Sequence, residues 1–130
     1  MNVIVDTSIW SEALRRRSPD SKIIKLLTDL IQEHRVVLIG PIRQELLSGI
    51  SDYKKFHLLK EKLSSLPDKE IISEDYILAA EYNNLCRQNG TQGSHIDFLI
   101  CACSVRLEAS IFTSDNDFKN YQKNIPIKLY

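Results

Sequence analysis

The stretch Val3-Ile4-Val5-Asp6-Thr7-Ser8 decides the fold prediction for this 130-residue chain. Its unbroken apolar, β-branched run predicts a short strand that is buried on both faces, as in a parallel sheet. Asp6 follows at the point where this strand ends. In open parallel sheets, ligands bind beyond the carboxyl ends of the strands, where the strand order reverses. The stretch therefore predicts both a parallel sheet and an acidic group at its functional edge.

Strands and helices alternate along the rest of the chain. Further strands are predicted at Val36–Ile39, 71–72, 110–113 and 127–129. Helices are predicted at 8–17, 20–34, 41–48, 51–66, 73–89, from 94 or 95 to 108, and at 115–121, with proline and glycine at their breaks. This alternation predicts an α/β fold in which helices cover both faces of a parallel sheet of about five strands. No linker interrupts the pattern, so one domain over residues 1–130 is expected.

The chain has 17 basic and 17 acidic residues, so its net charge does not by itself indicate a nucleic-acid binder. Phosphate binding requires only local positive charge. Candidate RNA contacts are Arg15, Arg16, Arg43 and Lys54. The alternative for each of them is an ordinary solvated helix face.

The apolar stretches of the chain bear on its location. The longest of them, such as 98–105, are too short to cross a bilayer. No charged segment followed by an apolar run opens the chain, as a signal peptide would. The three cysteines sit in apolar helical patterns, which suits reduced core thiols. A cytoplasmic protein without membrane contact is expected.

Further acidic residues fall at the same edge of the predicted sheet as Asp6. Asp115 and Asp117 follow the strand at 110–113. For a single strand-end aspartate, an N-cap of the next helix is the alternative. Glu45 lies about 60° from Ile42 around its helix, at the border of the apolar face. A solvated glutamate is the alternative there.

Asp97 is the most informative acid, because its helix, from His95 to Val105, is apolar nearly all round. An ionised carboxylate in such surroundings costs several kcal/mol unless a cation or hydrogen-bond donors compensate it. The helix N-terminus contributes only about 0.3–1 kcal/mol. A positive group is therefore expected beside Asp97, with capture by local backbone donors as the alternative.

Several carboxylates at one place favour a metal site. Carboxylates that converge repel one another and raise each other's pKa, and a hard divalent cation such as Mg²⁺ relieves this repulsion. A bound metal can polarise a phosphoryl oxygen and activate water. Because no nucleophilic serine or cysteine accompanies the acids, this combination points to phosphodiester hydrolysis by water.

At these residues the sequence resembles the PIN-domain nucleases and, among them, the VapC-type toxins of bacterial toxin–antitoxin pairs. The resemblance spans essentially the whole chain. It rests on Val5-Asp6-Thr7-Ser8, on Glu45-Leu46-Leu47-Ser48-Gly49, on the run from His95 to Ala102, and on Thr113-Ser114-Asp115-Asn116-Asp117-Phe118. Each motif alone is weak, and their order and spacing together are fairly specific.

The resemblance implies a PIN-like, Rossmann-like three-layer fold with strand order 3-2-1-4-5. It also implies Mg²⁺ or Mn²⁺ as cofactor, single-stranded or looped RNA as substrate, homodimerisation, and a small cognate antitoxin protein as partner. Matched position by position, the resemblance implies four catalytic acids: Asp6, Glu45, Asp97 and Asp115. The same four would bind the metal together with Asp117, which stands at a more variable position. The hydroxyl groups of Thr7, Ser8 and Thr113 would orient carboxylates and waters.

The mechanism that follows is a hypothesis about these residues. A metal held by Asp6, Asp97 and Asp115 binds the scissile phosphate, and Glu45 orients or deprotonates the attacking water. Cleavage then leaves a 5′-phosphate and a 3′-hydroxyl.

Other functions remain as alternatives. A housekeeping RNA-processing nuclease of the same family would carry the same acids. A non-catalytic RNA-binding or scaffold domain would normally lose one or more of them, and here all are present. A haloacid-dehalogenase phosphatase is disfavoured because position 8 is serine where an Asp-x-Asp motif is needed. A receiver domain is disfavoured because paired early acids and a late strand-end lysine are missing.

Overall fold

Four parallel strands form the sheet in the computed structural model, which describes residues 1–130. They are β1 (Val3–Val5), β2 (Val36–Ile39), β3 (Asp68–Lys69) and β4 (Ser110–Phe112), in the order β3-β2-β1-β4. Val3 pairs with Val36 on one side and with Ser110 on the other. Strand β1 is therefore central, and its three side chains are fully buried, as its apolar run predicts.

Seven helices connect and flank the strands. They are α1 (Thr7–Arg15), α2 (Ser21–Gln32), α3 (Gly40–Leu47), α4 (Tyr53–Leu63), α5 (Ser73–Gln88), α6 (His95–Arg106) and α7 (Asp117–Gln122). Right-handed crossovers run outward from β1 to β3 and then back to β4, so they place α1–α4 on one face and α5–α6 on the other. The predicted α/β fold with a parallel sheet is confirmed. The order reverses between β1 and β4, which places the ligand-binding crevice at their carboxyl ends.

Two strand predictions need correction. The strand expected at 71–72 is wrong, because the backbone N–H of Ile72 donates to Asp75 Oδ2 at 3.0 Å and is unavailable to a sheet. The third strand is instead the exposed pair Asp68–Lys69, which pairs with Leu38 and Ile39.

The fifth strand, expected at 127–129, is reduced to one parallel bridge between Ile111 and Leu129. Pro126 precedes this segment, and only two backbone hydrogen bonds, both with Ile111 and both 2.8 Å long, join it to the sheet. The sheet thus has four strands where about five were expected, and the order of those four is as expected.

A continuous apolar core lies beneath the acidic edge of the sheet. Thirty buried apolar residues form one cluster, and Tyr121, Phe98 and Phe118 are the largest of its fully buried side chains. Helix α6 is buried continuously from Phe98 to Ser104 and contacts β1, β4 and α5. The free cysteines Cys86, Cys101 and Cys103 belong to this core. None of the helices combines the length and the apolar character needed to cross a membrane.

Candidate active site

Five carboxylates lie on elements that meet at the carboxyl edge of the sheet, and we call them the acidic site: Asp6, Glu45, Asp97, Asp115 and Asp117. Asp6 follows β1, Asp115 and Asp117 follow β4, Asp97 lies in the first turn of α6, and Glu45 lies on α3. The backbone N–H of Asp6 donates to Phe112 O at 2.9 Å, which extends the pairing of β1 and β4 up to the site.

Three of these residues form a close group, the three-acid group. One carboxylate oxygen from each of Asp97, Asp115 and Asp117 lies within 4.8 Å of the other two. The backbone N–H of Asp117 donates to Asp115 Oδ1 at 2.9 Å, so α7 begins directly against the site. Asp117, expected at a variable position, is thus a member of this group of three, whereas Asp6 and Glu45 lie outside it.

Asp6 is held by two hydroxyl groups. Its Oδ2 accepts hydrogen bonds from Ser8 Oγ at 2.9 Å and from Thr113 Oγ1 at 2.8 Å. The same hydroxyls accept the backbone N–H groups of Ser114 and Asp115, at 3.1 and 3.0 Å. Each hydroxyl has a single proton, which it gives to Asp6, so the 3.3 Å between the two hydroxyl oxygens is a contact only. This network ties the loop that carries Asp115 to the end of β1.

Glu45 is exposed and is joined to the site through Thr7. Thr7 Oγ1 donates to Glu45 Oε2 at 3.0 Å, and Thr7 directly follows Asp6. Both predicted orienting residues on α1, Thr7 and Ser8, therefore contact site acids. The second oxygen of Glu45, Oε1, makes no hydrogen bond within the protein.

Asp97 is the partly buried member of the site. Burial raises the pKa of its carboxyl group, and the negative charges of Asp6 and Asp115 raise it further. Hydrogen bonds from Tyr121 and Ser94 oppose this effect. No basic side chain occupies the position expected for a positive group beside Asp97, since neutral hydroxyl groups are its partners. None of the five site acids takes part in a salt bridge.

The sequence did not point to Tyr121 as a site residue. Its hydroxyl donates to Asp97 Oδ2 at 2.6 Å, and its ring is fully buried. An aromatic residue three positions after Phe118 is typical of a core helix face, so no motif distinguished it. Ser94 was expected at the start of α6, and its Oγ accepts the backbone N–H of Asp97 at 3.1 Å.

Arg43, an expected RNA contact, makes structural contacts instead. Its Nε donates to Asp68 Oδ1 at 2.9 Å and its Nη1 to Leu63 O at 3.0 Å, while Nη2 donates to Leu66 O. These bonds hold the segment between α4 and β3 against α3. These bonds use three of the five guanidinium N–H groups, so the side chain is committed mainly to this structural role.

The other expected RNA contacts differ in availability. Arg15 donates to Leu46 O, so it is partly committed to joining α1 to α3. Arg16 is exposed and pairs with Glu12 at 2.6 Å on the same helix. Lys54 is exposed near the start of α4, outside every salt bridge of the chain.

Comparison with known proteins identifies relatives of this fold and site. The PIN domain family model matches residues 3–124. VapC ribonuclease Mb1587 from Mycobacterium bovis and Ribonuclease VapC11 from Mycobacterium tuberculosis are each 30% identical to the chain over 120 residues, or 89% of this chain and 88% of the relative.

Solved structures show the same fold at lower identity. VapBC2 from Rickettsia felis, crystallised with a DNA fragment from its promoter, has a TM-score of 0.82 at 17% identity over 100% of this chain and 98% of that chain. FitAcB from Neisseria gonorrhoeae has a TM-score of 0.75 at 22% identity over 98% and 96% of the two chains.

Proposed function

The chain belongs to the PIN-domain family, and on this premise we propose that it is a Mg²⁺- or Mn²⁺-dependent endoribonuclease of the VapC type. A single domain over residues 1–130 carries the activity. The observation that supports it best is the acidic site itself. The carboxylates of Asp97, Asp115 and Asp117 converge at the carboxyl edge of the sheet, and Asp6 and Glu45 lie on elements that reach the same edge. None of the five forms a salt bridge.

The donor set fits a hard divalent cation. Carboxylate oxygens are the protein ligands that Mg²⁺ and Mn²⁺ prefer, and Mg²⁺ commonly takes few of them, together with water and phosphate oxygens. The three-acid group supplies three carboxylates whose oxygens lie within 4.8 Å of one another. Asp97, Asp115 and Asp117 would hold the cation, with Asp6 and Glu45 beside them.

A divalent cation held by Asp97, Asp115 and Asp117 would supply Lewis-acid activation of water and of the scissile phosphate. The residues of the chain orient the reactants. Ser8 and Thr113 both donate to Asp6 Oδ2 and so fix this carboxylate group. Its other oxygen, Oδ1, is left available to a ligand. Thr7 occupies Glu45 Oε2, which leaves Oε1 to accept a proton from the attacking water. We propose that water attacks phosphorus and that the P–O3′ bond breaks. The 3′-oxygen takes up a proton as it leaves, so the products are a 5′-phosphate and a 3′-hydroxyl.

Two surface grooves are candidate binding sites for the partners that we propose. The α1–α4 groove combines apolar side chains with basic ones: Leu14, Arg15, Ile50, Lys55, Leu58 and Lys62. The α5–α6 groove has no Asp, Glu, Lys or Arg and is lined by Tyr76, Ala79, Asn83, His95, Ile96 and Leu99, among others. A two-fold interface sets a patch against its own copy, so the basic side chains of the α1–α4 groove would repel one another in a homodimer. The α5–α6 groove carries no such charges and is the better candidate for homodimerisation.

The basic rim of the α1–α4 groove suits an amphipathic acidic segment of a small antitoxin. The protein would then be the toxin of a toxin–antitoxin pair. Its location would be the cytoplasm, where RNA is accessible and buried free thiols stay reduced. Growth arrest on induction, relieved by the small protein encoded beside it, is the expected result. Growth arrest that no neighbouring protein relieves would favour a housekeeping nuclease.

The activity is tested with structured RNA, purified protein and Mg²⁺. Wild type is expected to cleave, and Asp97→Asn and Asp115→Asn are expected to lose cleavage. Asp29→Asn, a change in an exposed pair with Lys25, serves as the matched control and should cleave like wild type. EDTA should stop the reaction. Equal activity in all variants would indicate a contaminating nuclease, and a 2′,3′-cyclic phosphate product would contradict the hydrolytic route.

A further inference from the structure

Tyr121 makes the shortest hydrogen bond to any acid of the site. Its Oη lies 2.6 Å from Asp97 Oδ2, within the roughly 2.5–2.7 Å typical of an O–H donor on a carboxylate. The two residues belong to different helices, α7 and α6. The bond therefore joins the end of the chain's last helix to the partly buried acid of the three-acid group.

The ring of Tyr121 is packed on several sides by the core. It is 0% exposed, and its centroid lies 4.9 Å from that of Phe98 and 5.2 Å from that of Phe118. Two aromatic neighbours at these distances pack in tilted and edge-on geometries that hold a ring well. The position of the hydroxyl oxygen is thus fixed by the core, and the carboxylate of Asp97 adjusts to it.

Gly93 provides the space that the ring requires. A Cβ atom at position 93 would lie 2.5 Å from Tyr121 Oη and 2.8 Å from its Cε1 and Cζ atoms. Because the ring is packed on its other sides, it cannot retreat cheaply. The backbone of Gly93 does not adopt a positive φ, so glycine is needed here for close approach and not for conformation.

The phenol is a donor and not a base. A tyrosine hydroxyl is ordinarily protonated at neutral pH, and it donates its proton to Asp97 Oδ2 over 2.6 Å. This hydrogen bond occupies Oδ2 and leaves Oδ1 as the oxygen available to an external cation.

We propose that Tyr121 is a positioning residue that fixes the Asp97 carboxylate for divalent-cation binding, and that Gly93 is required because it admits the Tyr121 ring. The inference rests on the proposed function, since it takes the three-acid group as the cation site. Loss of an orienting hydrogen bond to a metal ligand typically costs about 10- to 100-fold in metal affinity or activity.

The test is calorimetric titration with Mn²⁺ alone, without RNA. Tyr121→Phe keeps the ring and removes the donor, so it should weaken Mn²⁺ affinity about 10-fold. Tyr82→Phe is the matched control: Tyr82 is also buried, on α5, and its hydroxyl does not contact a site acid. It should retain wild-type affinity. A purely structural role for Tyr121 would lower the melting temperature and leave the Mn²⁺ dissociation constant unchanged.

A second variant keeps the phenol and disturbs its place. Gly93→Ala should displace the Tyr121 ring and weaken Mn²⁺ affinity to a similar degree. Gly40→Ala is its control, because a Cβ atom there meets nothing within 4 Å. Wild-type affinity in both Tyr121→Phe and Gly93→Ala would overturn this inference and leave the proposed function standing. Failure of the wild-type protein to bind Mn²⁺ would contradict both.

Discussion

Two acids on neighbouring helices, the buried Asp75 on α5 and the partly buried Asp97 on α6, have opposite electrostatic surroundings. Asp75 is 1% exposed and accepts two hydrogen bonds from Arg106, at 2.6 and 2.9 Å. Burial by itself raises the pKa of Asp75, but the bonds from Arg106 and from the Ile72 N–H outweigh it, so the pKa is lowered. Asp97 has only neutral donors, and its pKa is raised.

The difference separates an acid whose charge is paired within the chain from one that we propose binds a cation. The Asp75–Arg106 pair is complete within the chain, since Arg106 also donates to Glu70 O at 3.0 Å and so fixes the start of α5 against α6. Asp97, by contrast, keeps a charge that nothing in the chain neutralises, next to Asp115 and Asp117. A folded protein sustains that cost where a ligand supplies the missing positive charge.

The largest effect is expected where the complete pair is broken. Arg106→Gln leaves the Asp75 carboxylate buried without its cation, so the free energy of unfolding should fall by about 3–5 kcal/mol in a urea titration. Lys25→Gln, which removes an exposed ion pair with Asp29, should change it by less than about 1 kcal/mol. If Arg106→Gln lowered the free energy of unfolding by no more than Lys25→Gln does, the proposed contrast between Asp75 and Asp97 would be contradicted.

Asp97→Asn should affect function and spare stability. The amide lacks the charge that the proposed cation requires, so Mg²⁺-dependent RNA cleavage should fall by roughly 100-fold, equivalent to about 2.7 kcal/mol. Without metal, the variant should unfold no more easily than wild type, because the amide is neither repelled by Asp6 nor penalised as a buried charge. A large loss of metal-free stability would show that Asp97 is structural, like Asp75.

Thr113→Val tests the neutral donors of the site. Valine has a similar shape but cannot donate to Asp6 Oδ2 or accept the N–H of Asp115. Cleavage activity should fall by about 10-fold, and Mn²⁺ affinity should weaken with it. A pure stability defect, with activity per folded molecule unchanged, would argue against an orienting role for this hydroxyl.

The lowered pKa of Asp75 should be visible in how the free energy of unfolding depends on pH. Its pKa is lower in the folded state than the roughly 3.9 of an unfolded aspartate, so its stabilising contribution is complete above that pH and is lost as pH falls through the folded pKa. The stability gap between wild type and Asp75→Asn should therefore narrow only under acidic conditions, by at most about 1.4 kcal/mol per pH unit. A gap that narrows near neutral pH would contradict the lowered pKa.

The sequence predicted much of the acidic site because strand ends carry strong local signals. Asp6 and Asp115 follow buried apolar strands, and a parallel sheet must bring such strand ends to one edge. The group around Tyr121 was not predictable in this way. A tyrosine beside Phe118 reads as a core residue, and the need for glycine at position 93 arises from packing between segments that are distant in the chain.

The exposed parts of the fold were less predictable for a related reason. Strand β3 contains only Asp68 and Lys69, which have no preference for strands, and backbone pairing to β2 alone defines it. Arg43 has the character of an RNA contact in the sequence. Only the folded arrangement of Asp68 and the carbonyl groups at Leu63 and Leu66 shows how its donors are used.

The most direct measurement is anomalous diffraction from crystals of the protein grown with Mn²⁺. The account predicts one or two anomalous peaks within coordination distance of the Asp97, Asp115 and Asp117 carboxylates. It also predicts the loss of these peaks in Asp97→Asn crystals. Peaks only at other acids, or none at saturating Mn²⁺ while the carboxylates keep their arrangement, would contradict the claim that these residues together bind a divalent cation.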